Sequence, residues 1–199
     1  MRSVADYSSP YMIQTPPITP TSTRIRIVPA SELDSVLPDL VQIFRDVVNG
    51  GVPLGFFSPM TLQTAHDYWL SIIPELNAGT RLLLVASNDG GVLGSGQLAL
   101  AQRQNSRHRA EVQKLFVARA ARGQGIGKLL MQALHDAALE NGRTLIQLNT
   151  RVGFEAVGFY KALGYREVGV IPGWTMDAEG RRFDHVEMYR ELATALPPD

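Results

Sequence analysis

The sequence predicts an α/β or α+β domain built on one central twisted mixed sheet of about seven strands, with helices on both faces. Three observations carry this expectation. Strand-like runs and runs with 3.6-residue periodicity follow one another in the order β-α-α-β-β-β-α-β-α-β-β. A glycine-rich turn, Arg122-Gly123-Gln124-Gly125-Ile126-Gly127-Lys128, joins a strand to an amphipathic helix. Finally, 199 residues with 45% hydrophobic content suffice for one good core, so a single domain is expected.

The first 23 residues stand apart. Ser8-Ser9-Pro10 and the run from Thr15 to Thr23 are rich in Pro, Ser and Thr, with no core pattern and no uninterrupted apolar stretch of a signal peptide. Residues 1–23 are therefore expected to form a flexible extension, 24–192 the folded domain and 193–199 a tail. Arg24-Ile25-Arg26-Ile27-Val28 alternates with period two and opens the sheet. Ser31 or Asp34 is placed to cap a helix in which Leu33, Leu37, Leu40, Val41, Phe44 and Val48 share a face. The stretch Asn49 to Phe57, with three glycines and a proline, interrupts it. A second helix then carries Leu62, Ala65, Tyr68, Trp69, Ile72 and Ile73.

Arg81 to Ala86 and Val92 to Ala101 flank Asn88-Asp89-Gly90-Gly91, a strong hairpin turn. Val112 to Val117 reads as the strand ahead of the glycine turn. The helix behind it, Ile126 to Glu140, sets Ile126, Leu129, Leu130, Ala133, Leu134, Ala137 and Ala138 on one face. Thr144 to Asn149 follows as a buried strand.

A glycine-rich turn between strand and helix leaves backbone N–H groups free at the positive end of a helix dipole, which is a pyrophosphate cradle. A β-carbon at Gly125 or Gly127 would keep phosphate oxygens away. Leu129 follows Lys128 where a magnesium-binding P-loop needs Ser or Thr, and glycines at 123, 125 and 127 miss the G-x-G-x-x-G dinucleotide spacing. The spacing that fits is Arg122-x-x-Gly125-x-Gly127, which resembles the coenzyme A loop of the GCN5-related N-acetyltransferases. A turn that only connects strand to helix is the alternative.

A second signature lies downstream. Ala156-Val157-Gly158-Phe159-Tyr160-Lys161-Ala162-Leu163-Gly164-Tyr165 resembles the last conserved helix of the same family. By that resemblance Tyr160 is the general acid for the departing thiolate. Taken on periodicity alone, Phe159 and Tyr160 read as core aromatics. His108 to Leu115, Gly169 to Trp174, and an Asp177-x-x-Gly180 turn before Phe183 to Arg190 are similar to the tabtoxin-resistance-like subgroup. The likeness covers roughly residues 80–191. It implies acetyl-coenzyme A as cosubstrate, held by Phe116, Val117, Arg122, Gly123, Gln124, Gly125, Ile126, Gly127 and Lys128, with Asn149 and Gly153 beside it. Two departures stand out: Asn149 replaces an Asp common in the subgroup, and Gly153 replaces the usual family Asn.

An acceptor ammonium must lose a proton before it attacks the thioester. Glu111 is the leading base by analogy with the subgroup; a strand-end carboxylate paired with Arg109 is the competing reading. His108 and Glu155 are weaker candidates. The Val117 N–H is the expected donor to the carbonyl oxygen. The loops Asn49 to Phe57 and Ile171 to Arg182 are expected to set acceptor specificity, with Phe57 and Trp174 as candidate walls.

Composition narrows the class. Nineteen basic and 19 acidic residues give zero formal charge, so nothing favours nucleic acid or an anionic membrane. Having no cysteine, the chain forms no disulfide and no cysteine acyl-enzyme, which leaves direct attack by the amine. The histidines His66, His108, His135 and His185 are not at metal-ligand spacing, and no metal is expected. No apolar run approaches the ~20 residues of a membrane span. The reading is a cytoplasmic acetyl-coenzyme A-dependent N-acetyltransferase of a small-molecule amine, with a homodimer left open. A protein acetyltransferase and a coenzyme A-binding regulatory module without turnover are the alternatives.

Overall fold

The computed structural model describes residues 23–192. Of the expected extension only Thr23 falls within them, and the 193–199 tail lies outside. The strands are β1 (Arg24–Ile27), β2 (Arg81–Asn88), β3 (Gly91–Leu100), β4 (Arg109–Val117), β5 (Leu145–Arg151), β6 (Arg166–Met176) and β7 (Arg182–Glu191). The helices are α1 (Leu37–Asn49), α2 (Leu62–Ser71), α3 (Ile73–Asn77), α4 (Ile126–Glu140) and α5 (Glu155–Ala162). The strands form one mixed sheet in the order β1-β2-β3-β4-β5-β7-β6. Neighbours are antiparallel except β4 and β5, which run parallel and are joined through α4.

Side-chain alternation along β2 divides the core between two faces. Leu84 and Ala86 join Leu130 and Leu134 of α4, while Leu83 and Val85 join Phe44 of α1 and Trp69 of α2. Full burial of Leu83 and Leu84 contributes roughly 1.5–3 kcal/mol each.

Prolines account for both departures in the N-terminal helices. Residues Ala30–Ser35 form a 3-10 turn, and α1 begins only at Leu37, with Pro38 in its first turn, so neither Ser31 nor Asp34 caps it. Proline lacks an N–H and its ring clashes with the carbonyl four residues back, so α geometry cannot run through from Asp34. Pro74 splits the second expected helix in the same way, into α2 and α3. Thr61 starts α2 by accepting the Thr64 N–H at 3.0 Å. On α4, Leu129 lies off the buried stripe and is 41% exposed, while Met131 and His135 join the stripe instead.

Strand β4 carries two irregularities, and both shape the site. The register against β3 slips between Ser95 and Gln97, and Lys114 has a φ of 49°. This bulge reverses the parity of the strand. Val112 faces α4, and so do Leu115 and Val117, but Phe116 turns into the α1–α2 core. The second irregularity is a divergence. The pairing of β4 with β5 is confined to Arg109 with Leu145, Ala110 with Ile146 and Glu111 with Gln147. Beyond Glu111 the strands part, and the edge of β4 from Val112 to Val117 opens onto a cleft.

Candidate active site

The glycine turn follows the C-terminal end of β4, ahead of α4. Gly125 is the N-cap of α4 in the left-handed region at φ 78°, and Gly123 stands at 77°. These conformations favour glycine, and a β-carbon at either position would meet nothing within 4 Å, so the mouth of the turn is clear. The N–H groups of Gly123, Gln124, Gly125, Ile126 and Gly127 make no backbone hydrogen bonds among the described residues. Five unpaired donors at the start of a 15-residue helix suit a diphosphate. At Gly127 a β-carbon would stand 3.5 Å from Phe159 Cζ, in ordinary van der Waals contact with the α5 aromatic. The Arg122 Nε donates to the Val117 carbonyl at 3.4 Å, and Lys128 sits in the first turn of α4.

Along the open edge of β4, amides alternate in direction. Because the Ala118 N–H donates to Leu93 of β3, the Val117 N–H turns the other way, into the opening. Phe116 is buried against Phe44 and Trp69, so its side chain belongs to the core and only its backbone borders the cleft.

The cleft encloses about 920 Å³ and brings together Glu111, Asn149, Tyr160 and His185. Residues 51–58 wall it on one side and residues 174–179 on the other, including Phe57 and Trp174, which are 56% and 52% exposed. Tyr160 is buried in α5, packed on Phe159 and Tyr165, and its hydroxyl has no hydrogen-bond partner among the described residues. Burial pushes its pKa up to about 12, so the phenol keeps its proton at neutral pH.

The carboxylate side of the cleft is richer than the sequence alone suggests. Glu111 forms no ion pair with Arg109 among the described residues; it lines the cleft. Glu187 lies opposite Asn149 across the β5–β7 ladder. Burial, and then the charge of Glu111, hold the Glu187 carboxyl above the usual carboxylate value, while a hydrogen bond from Asn149 pulls it back. Asn149 also contacts His185, Nδ1 to Oδ1 at 3.1 Å, and the other ring nitrogen of His185 meets the Thr175 hydroxyl at 3.0 Å. Asn149 is thus tied to His185 of β7 within the cleft.

Other candidates are not brought in. His108 is exposed at the loop leading into β4, where its carbonyl accepts the Thr144 and Leu145 N–H groups. Glu155 and Gly153 line a separate shallow hollow of about 360 Å³ beside Glu167 and Val170. Gly153 has a φ of 83°, which explains a glycine in that turn. Sequence reasoning passed over Glu187, His185 and Lys114. The signal for the first two was the alternation His185, Glu187, Tyr189 against Val186, Met188, but only the strand register shows what they face.

A parted parallel strand pair, followed by a turn of free N–H groups and flanked by carboxylates, is an arrangement that suits an acyl transferase using a coenzyme A-type thioester. Comparison with known proteins gives the family. The acetyltransferase (GNAT) domain profile matches residues 79–167. An uncharacterized N-acetyltransferase from the hisH-hisA intergenic region of Azospirillum brasilense is 31% identical over 119 residues, which is 58% of this chain and 68% of that protein. The ribosomal-protein-alanine N-acetyltransferase of Brucella melitensis superposes with a TM-score of 0.67 at 25% identity, over 85% of this chain and 99% of that one. A GNAT phosphinothricin acetyltransferase from Sinorhizobium meliloti, solved with acetyl-coenzyme A, shares the fold with a TM-score of 0.70 at 23% identity, over 89% and 94%. The chain belongs to the GNAT family of acetyl-coenzyme A-dependent N-acetyltransferases. No described helix is long and apolar enough to cross a membrane.

Proposed function

We propose that this chain moves the acetyl group of acetyl-coenzyme A directly to the primary amine of a small molecule in the cytoplasm. The observation that carries the acceptor class is the lining of the cleft by two loops, residues 51–58 and 174–179, around about 920 Å³. That volume suits a small ligand, whereas an extended peptide needs an open groove. The S. meliloti neighbour, named for a small-molecule acceptor, agrees with this; the B. melitensis neighbour, named for a protein acceptor, supplies the competing reading. Similarity to the tabtoxin-resistance-like subgroup rests on the motif around Glu111 and the Asp177–Gly180 turn.

In this reading the free N–H groups of residues 123–127 hold the diphosphate, with Arg122 and Lys128 adding charge beside it. The Val117 N–H donates to the thioester carbonyl, where negative charge grows as the amine attacks. Glu111, with Glu187 beside it, takes the ammonium proton. Tyr160 donates to the sulfur as the thiolate leaves. A turnover assay with acetyl-coenzyme A and a panel of small amines, blocked lysine peptides and peptides with free N-termini tests this. Acetylation of small amines is the expected result, and turnover confined to peptides overturns the reading.

A further inference from the structure

We infer that Lys114 selects the acceptor by pairing with an anionic group on it, so that the substrate is a small amine that also carries a carboxylate, an amino acid or a compound of that kind. This rests on the small-amine reading above. The first observation is conformational. Lys114 is the bulge residue of β4 and the one non-glycine residue with positive φ among those described, at 49°. A strained backbone at a cleft is maintained by surrounding structure, and here it delivers a long side chain into the same cleft that Glu111 lines.

The second observation is chemical. The Lys114 Nζ lies 5.5 Å from the centre of the Tyr68 ring and 5.7 Å from that of Phe56. Gly55 leaves it room, since a β-carbon there would stand 3.2 Å from the Nζ. Ring faces attract an ammonium but do not replace hydrogen-bond acceptors. Among the described residues no carboxylate lies within salt-bridge distance of Lys114, and no side chain accepts its protons. The neighbouring Arg81 adds like charge and is itself engaged, with Glu75 at 2.8 Å and with Gln97 and Gln113 at 2.7 Å. The Tyr68 hydroxyl donates to Gln97 at 2.9 Å, which holds its ring in place under the ammonium. Burial, and then Arg81, depress the pKa of Lys114, and the charge of Glu111, too distant for a salt bridge, opposes them only in part.

An arriving carboxylate supplies hydrogen-bond acceptors and a close counter-charge. The cleft then offers both signs of charge, Glu111, coupled to Glu187, for an ammonium and Lys114 for an anion. That pattern fits a zwitterion and disfavours a polyamine, whose second cation would face Lys114.

The test compares matched acceptors, amino acids against their carboxamides, with a lysine peptide of blocked termini as a third arm. The wild-type protein is expected to favour the acid over the amide by roughly 10- to 100-fold in kcat/KM, the range of one hydrogen-bonded charge contact. Lys114→Met is expected to bring the two level, through a raised KM for the acid. A melting curve and an acetyl-coenzyme A titration establish that the variant folds, and Lys114→Gln serves if it does not. Amides turned over as well as acids by the wild type overturn the inference and leave the small-amine reading standing. Turnover of the blocked peptide alone overturns both. A preference that persists in Lys114→Met and Lys114→Gln removes Lys114 from the assignment.

Discussion

Asn149 holds His185 in one tautomer. With the Nδ1 proton donated to the Asn149 carboxamide oxygen and Nε2 accepting from Thr175, both ring nitrogens of His185 are engaged by the protein. Burial, and then Arg151, lower the pKa of His185, so the ring is neutral at physiological pH. A neutral imidazole with no free lone pair orients Asn149 and leaves the Asn149 amide to serve Glu187. In the function proposed above, proton acceptance therefore falls to the carboxylates.

Glu111→Gln is expected to lower turnover by ~10²–10⁴-fold, chiefly at pH values where the acceptor amine is still protonated. Glu187→Gln should cost less, about tenfold, because Glu111 remains. A pH–rate profile of each variant checks this. Full activity of Glu111→Gln across that profile would give Glu111 a structural role.

Tyr160→Phe keeps the ring that packs on Phe159 and Tyr165 and removes one oxygen. The fold and acetyl-coenzyme A affinity should survive, while kcat falls by roughly tenfold to a thousandfold, or ~1.4–4 kcal/mol. An unchanged kcat with a shifted melting temperature would make Tyr160 a core aromatic and no more.

Gly125→Glu puts a side chain where φ is 78° and a negative charge where the free N–H groups converge. Calorimetric titration should show acetyl-coenzyme A binding lost in a folded variant. Retained affinity assigns the diphosphate elsewhere.

His135 offers a stability test away from the cleft. Its Nε2 meets the Tyr165 hydroxyl at 2.9 Å, and Arg190 approaches its Nδ1 at 3.4 Å. Burial, and then Arg190, lower its pKa from 6.5 to about 4. The unfolded chain takes up a proton near pH 6.5 that the folded chain refuses until about pH 4, so stability is full above 6.5 and is lost as pH falls towards 4. The melting temperature of the wild type should therefore drop more across that window than that of His135→Gln.

Most of the fold was legible because its signals are local. The hairpin at Asn88–Gly91, the glycine turn and the apolar stripe of α4 each announce themselves within a dozen residues. What escaped depends on contacts distant in sequence. Proline breaks at Pro38 and Pro74 were readable but were outweighed by apolar periodicity. The parity reversal at Lys114 was hidden, because alternation assumes an unbroken strand. Glu187 meets Glu111 only through the sheet order that sets β7 beside β5. Tyr160 and the turn at 122–128 could be named as candidates because short local motifs resemble those of the family, and Tyr160 does line the cleft.

The parting of β4 and β5 also has a mechanical side. Two blocks of sheet, β1–β4 and β5–β7, are stitched together by three residue pairs at Arg109–Glu111 and Leu145–Gln147, and α4 is the chain connection between them. A force that spreads the cleft acts on that short seam as on the pin of a hinge. A small rotation there widens the far end of the opening, at Val117 and Arg151, more than the end at Glu111. Glu111, at the last of the three pairs, lies near the pivot, where such a rotation displaces it least.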